Sequence, residues 1–172
     1  MVRMLRAMLL GLCWLGAPAY AGVGEGVIGN WASPESILQI ARAGEGLSMR
    51  VVVLLEPNYG PNEIFGPPGT PRRDAENPDP ERRQDPILGL ELLRDYRFEK
   101  GMWRGRIYDP ESGNIYDSTI RLGRNGLLKM RGYIGMPMFG RTETFEPLSA
   151  CTELIVTMLR AAQPPLSAAG CD

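Results

Sequence analysis

The chain has 172 residues, a net charge of −1, 3 cysteines and no histidine. That balance offers no basic excess of the kind that binds nucleic acid. The missing histidine removes the usual general base, the Ser-His-Asp and Cys-His pairs, and every histidine-based zinc or haem site.

The first residues carry Arg3 and Arg6, then an apolar run over 7–15, then Ala17-Pro18-Ala19-Tyr20-Ala21. Basic, apolar and Ala-x-Ala segments in this order make a cleavable secretory signal, with cleavage expected after Ala21 and export to the periplasm or beyond. An apolar run of about ten residues is too short to span a bilayer, which takes about 20. No other segment is apolar enough to do so. Cys13 follows Leu12 rather than a small residue, which argues against a lipoprotein site. Removing residues 1–21 leaves about 150 residues, one domain's worth. It also leaves Cys151 and Cys171, an even count suited to a disulfide in an oxidising compartment. Such a bond would close a loop of about 20 residues and contribute roughly 3 kcal/mol in the chain-entropy account. Two free thiols in a loose tail are the alternative.

From residue 28 onward, short apolar/polar alternations are punctuated by turns, the pattern of half-buried strands. Strands are expected over 28–31, 37–42, 47–55, 90–96, 102–108, 115–122, 127–134 and 139–145. The strongest places Leu47, Met49, Val51, Val53 and Leu55 on one face. Between the third and fourth strands, residues 56–87 hold eight prolines and three glycines. A loop of about 30 residues is uncommon and usually functional or disordered; residues 57–73 read as mobile and 74–87 as docked. Asp109-Pro110-Glu111-Ser112-Gly113 and Asn125-Gly126 are hairpin signals. Residues 149–162 have helical spacing, and the rest is a Pro/Ala-rich tail. The domains expected are thus a signal over 1–21, a β domain over 22–148 and a helix and tail over 149–172. Eight sequential antiparallel strands bury one face best by closing into an up-and-down barrel, which also removes free edges.

Several motifs together resemble a bacterial exported family, domain of unknown function 2147. They are Asp74 with Asn77-Pro78-Asp79, Trp103-x-Gly105-x-Ile107-Tyr108-Asp109-Pro110, Arg131-Gly132-Tyr133-Ile134-Gly135 and Gly140-Arg141-Thr142. The resemblance covers roughly residues 26–147 and implies a calycin-like, that is lipocalin-like, barrel. Gly29-Asn30-Trp31 matches the Gly-x-Trp that opens the first lipocalin strand. The resemblance implies that Trp31 closes the barrel floor and that a last-strand arginine, here Arg141, packs over it. The other reading makes Trp31 a plain core aromatic and Arg141 a surface charge.

An all-β barrel of this kind suggests non-enzymatic binding of a small apolar or amphipathic ligand inside it. The candidate lining is Trp31, Val51, Val53, Trp103, Ile107, Tyr116, Ser118, Ile120, Met130 and Arg141, with small, polar Ser118 hinting at spare volume. No cofactor or metal is expected. A cell-envelope interaction module with a solid core, acting through its outer face and the 57–87 loop, is the alternative. A carboxylate hydrolase using Asp109 and Glu111, with Asp117 nearby, is a third reading. Asp74, Glu76, Asn77 and Asp79 could hold calcium or, as a self-capping loop, hold only themselves. Arg72-Arg73 and Arg82-Arg83 beside them would pair with the neighbouring acids.

Overall fold

A computed structural model describes residues 24–162 and Cys171. The expected signal over 1–21 lies outside the described residues, as does most of the tail. Eight antiparallel strands form the domain: β1 Gly29–Ala32, β2 Ser36–Ala43, β3 Gly46–Leu54, β4 Leu93–Glu99, β5 Met102–Asp109, β6 Asn114–Leu122, β7 Leu128–Tyr133 and β8 Arg141–Pro147. One helix, α1 (Glu153–Ala161), follows. The sheet order is β3-β2-β1-β8-β7-β6-β5-β4. Every strand therefore lies beside its sequence neighbours except at the β3/β4 and β1/β8 joins.

Both joins close a nearly complete barrel. At β3/β4 the chain ahead of β4 lies along β3: Leu92 N donates to Met49 O at 2.9 Å, Gly89 N to Val51 O at 2.8 Å and Val51 N to Leu90 O at 3.2 Å. The strand expected from residue 90 therefore begins at Leu93, because residues 90–92 serve the seam. The β1/β8 join is short, with only Trp31 opposite Pro147 and Ala32 opposite Glu146. The last strand starts at Arg141 rather than 139, because Pro137–Phe139 form a 3-10 turn.

Alternation sends Trp31, Leu38, Ile40, Leu47, Met49, Val51, Trp103, Ile120, Leu128, Met130 and Phe145 into one buried cluster inside the barrel. Val53 does not join them, which corrects the expected lining. A register shift at Ile37/Leu38 pairs Ile37 with Val53 and Leu38 with Val51, leaving Val52 as the extra residue. A one-residue slip flips the following side chains to the other face. Val53 instead packs with Ala32, Ile37, Leu148, Ile155, Met158 and Leu159 in a second cluster that joins α1 to the barrel.

Residues 149–162 do not make one helix. Cys151 sits at φ 47°, which ends the 3-10 turn Leu148–Ala150, and Thr152 then caps α1 by accepting from Ile155 N. Such a cap contributes about 1 kcal/mol. Cys151 and Cys171 form a disulfide.

The 56–87 loop is folded rather than extended. Residues 57–73, expected to be mobile, are folded on themselves: Tyr59 N donates to Thr70 O at 2.9 Å and Gly69 N to Tyr59 O at 2.8 Å. The Tyr59 ring is buried.

Candidate functional site

The two ends of the barrel are covered to different degrees. At the floor, the 3-10 turn Glu25–Val27 crosses the opening, and Trp31 and Trp103 donate to it or beside it: Trp31 Nε1 to Val27 O and Trp103 Nε1 to Gly24 O, each at 2.8 Å. Phe98 meets the Trp103 ring edge-on at 5.3 Å. A guanidinium does stack on an indole here, but it is Arg42 over Trp103, at 4.9 Å from the ring centre. Arg42 also pairs with Glu25 at 2.8 Å. The contact adds roughly 0.5–1 kcal/mol at an exposed site.

Arg141 therefore does not play the role expected of it. Its side chain is 88% exposed and its acid neighbour is Glu143 at 3.8 Å. Strand geometry gives the reason: β8 meets Trp31 at Pro147, six residues and about 20 Å along an extended strand from Arg141. The alternation Leu38-x-Ile40-x-Arg42 was the signal for the arginine actually used, since it puts Arg42 on the inward side of β2.

Above the floor, the interior is packed. Trp103, Met49, Ile120 and Leu128 are at most 1% exposed, and Val51 and Met130 at most 5%. A cavity of ligand size would leave its lining accessible, so this layer is solid. Ser118 marks no spare volume: its hydroxyl pairs with the Tyr96 hydroxyl. Gly105, opposite Ser118 on β5, makes room for that ring, because a Cβ there would stand 2.4 Å from Tyr96 Cδ2. Burial raises the Tyr96 hydroxyl well above the ordinary phenol value, and the Ser118 bond offsets part of that rise.

Toward the other end, the inward positions become accessible. Ile107 and Tyr116, paired across β5 and β6, are half-buried, as is Leu54, which follows the bulge and packs against the inner cluster. Glu143 lies opposite inward Met130, and Arg141 opposite Gly132, yet both reach solvent. The mouth therefore has an apolar floor and a charged rim. Glu111 belongs to that rim. Partial burial pushes its carboxyl above the ordinary value, the charges of Asp109, Glu35 and Glu143 push the same way, and Arg141 opposes them. Asp109 is occupied by its own hairpin, accepting from Glu111 N at 3.0 Å and from Ser112 Oγ at 2.6 Å. Asp117 lies on the outer face opposite Arg106.

The oxygen donors of the long loop are likewise turned on the protein. Asp74 is fully buried; it accepts from Tyr108 Oη and from Asn77 Nδ2, both at 2.6 Å. Asp79 caps the turn Pro80–Arg82. Burial, reinforced by the Asp74 carboxylate, holds the Tyr108 hydroxyl well above the ordinary phenol value. Among the described residues, no group of three or more acidic or sulfur side chains is gathered to hold a metal. No helix among them is long and apolar enough to cross a membrane.

The sequence matches the family described as "Uncharacterized protein conserved in bacteria (DUF2147)" over residues 29–146, more than half of the chain. The chain belongs to this family. Among solved structures, the DUF2147 barrel is similar to protein HP1028 from Helicobacter pylori, described as belonging to the lipocalin family. The likeness has a TM-score of 0.55 at 19% identity and covers 71% of this chain and 82% of that one. At that identity it speaks for the fold alone, which is lipocalin-like here too. No curated protein matches the sequence.

Proposed function

We propose that this DUF2147 chain is exported to the periplasm and binds a small amphipathic molecule at the open mouth of its barrel, without covalent chemistry. The carrying observation is the change along the inward face, from side chains at most 1% exposed near the floor to half-buried Leu54, Ile107 and Tyr116 at the mouth. An eight-stranded barrel is just wide enough to be filled by side chains or to hold one small ligand, and the inward side chains here are fully covered near the floor and only partly covered at the mouth. The apolar part of the ligand would rest on Leu54, Ile107 and Tyr116, with its polar head among Arg141, Glu111 and Glu143. The basic–apolar–Ala-x-Ala start of the sequence supports export.

The test uses protein recovered from the periplasmic fraction, expected to begin at Gly22 by intact mass. Titration with a fluorescent fatty-acid probe is expected to saturate at one probe per chain. Ile107→Asp should weaken uptake roughly tenfold or more, because it puts a charge where apolar surface is covered. A wild-type protein that takes up no probe would overturn the binding role.

One observation favours a second reading, a docking module of the cell envelope. The β7–β8 connection holds Ile134, Met136, Met138 and Phe139 at 57–77% exposure. Arg131 fixes it by donating to Pro137 O at 2.7 Å and Met138 O at 3.2 Å. In that reading, a Met138→Ser, Phe139→Ser variant loses envelope association and keeps whatever probe uptake the wild type has.

A further inference from the structure

The long loop carries two adjacent arginine pairs, and the fold divides each of them. Arg72 is consumed within the loop: its Nη2 lies 2.7 Å from Glu63 Oε1 and 3.4 Å from Glu56 Oε2, and its Nε donates to Glu56 O at 2.7 Å. Arg82 pairs with Asp85 at 3.2 Å. Arg73 and Arg83, which the sequence also suggested would pair with acids, have no carboxylate partner among the described residues. Each is steered by one backbone carbonyl instead: Arg73 Nη1 donates to Gln84 O at 2.5 Å and Arg83 Nε to Asn77 O at 2.8 Å.

These two guanidiniums line one hollow of about 290 Å³, together with Tyr59, Phe65, Thr70 and Gln84. The hollow is held in shape from behind. The Tyr59 hydroxyl accepts from Arg73 N at 2.9 Å. Arg73 adjoins buried Asp74, and Arg83 is tied to Asn77, whose amide donates to that same carboxylate. Both cations therefore hang from the network that docks the loop on Tyr108, each held by one carbonyl bond.

A guanidinium presents a planar fork of donors that matches a carboxylate or a phosphoryl group. Two such forks without a carboxylate partner among the described residues, beside a phenylalanine that is 53% exposed, form an anion seat with an aromatic side. We propose that this hollow is a second binding site, separate from the barrel mouth, for a small organic anion. Its carboxylate or phosphate would sit on Arg73 and Arg83, and its flat apolar part against Phe65.

Calorimetric titration of the mature protein with phenyl phosphate, benzoate and inorganic phosphate tests this and separates the two anion classes. At low salt, phenyl phosphate or benzoate is expected to bind saturably and more tightly than inorganic phosphate. The binding should weaken as salt rises. Arg73→Gln and Arg83→Gln should each weaken it roughly tenfold or more, the usual scale for losing a charge-assisted bond. Phe65→Ala, at a position too exposed to affect folding, should weaken the aromatic anions and spare inorganic phosphate. Arg82→Gln, which removes a neighbouring cation outside the hollow, should leave binding unchanged. Absence of saturable binding by all three anions, or equal weakening by Arg82→Gln and Arg83→Gln, would overturn the proposal.

Discussion

Glu111 is the residue whose environment has the clearest measurable consequence. Its carboxyl is raised above 4.5 by partial burial and by Asp109, Glu35 and Glu143. Between its unfolded and folded pKa values the folded chain holds more of this proton than the unfolded one, so the contribution to stability falls as pH rises through the folded value. Thermal melts of the wild type and Glu111→Gln are expected to agree at acid pH and to diverge above it, with the variant the more stable near neutrality. Asp95 has the opposite sign: the hydrogen bond and charge of Arg106 lower its carboxyl below 3.8, so its contribution is present above that value and lost as pH falls through the folded one. The wild-type-to-variant comparison cancels it. Curves that stay parallel at every pH would remove the crowded rim from this account. The sequence placed Asp109 and Glu111 in one turn; it could not place Glu143 and Glu35 beside them, because those come from other strands and turns.

The 56–87 loop acts as an element because one buried carboxylate fastens it to the barrel. Asp74→Ala would strand two buried donors, the Tyr108 hydroxyl and the Asn77 amide. The expected cost is about 3 kcal/mol in urea unfolding, together with faster proteolysis within the loop. A loss below about 1 kcal/mol would mean that the loop is fastened elsewhere. Gly113 belongs to the same docking: it sits at φ 68°, and a Cβ there would stand 2.0 Å from Glu76 O. The turn chemistry of Asp109–Gly113 was legible as a hairpin, and the docking of residues 74–87 was legible in outline. The contact between hairpin and loop was not, since nothing in either segment names its partner.

The barrel as a whole depends on a seam that side chains help to close. Met49 N donates to Glu91 Oε1 at 2.7 Å, so a carboxylate stands in for a strand carbonyl, and Arg50 Nε reaches the other oxygen at 3.1 Å. Removing it leaves a backbone donor on fully buried Met49 unpaired. Glu91→Ala is expected to destabilise the fold by about 2 kcal/mol and to speed amide exchange at Met49 more than at Leu128, across the barrel. Equal exchange at both sites would show that the seam does not open separately.

The sequence by itself determined the strands, their hairpin order and the barrel they imply, because a two-residue period and turn chemistry are local properties of the chain. It also offered Cys151 and Cys171 as a pair suited to a disulfide. Only the tertiary structure decided which arginine lies over which tryptophan, that Val53 faces α1, that Ser118 is filled by Tyr96, and which arginines keep free charge. Those depend on stagger between strands and on register shifts such as that at Ile37/Leu38, and a shift of a single residue along a nearly closed sheet changes every partner that follows.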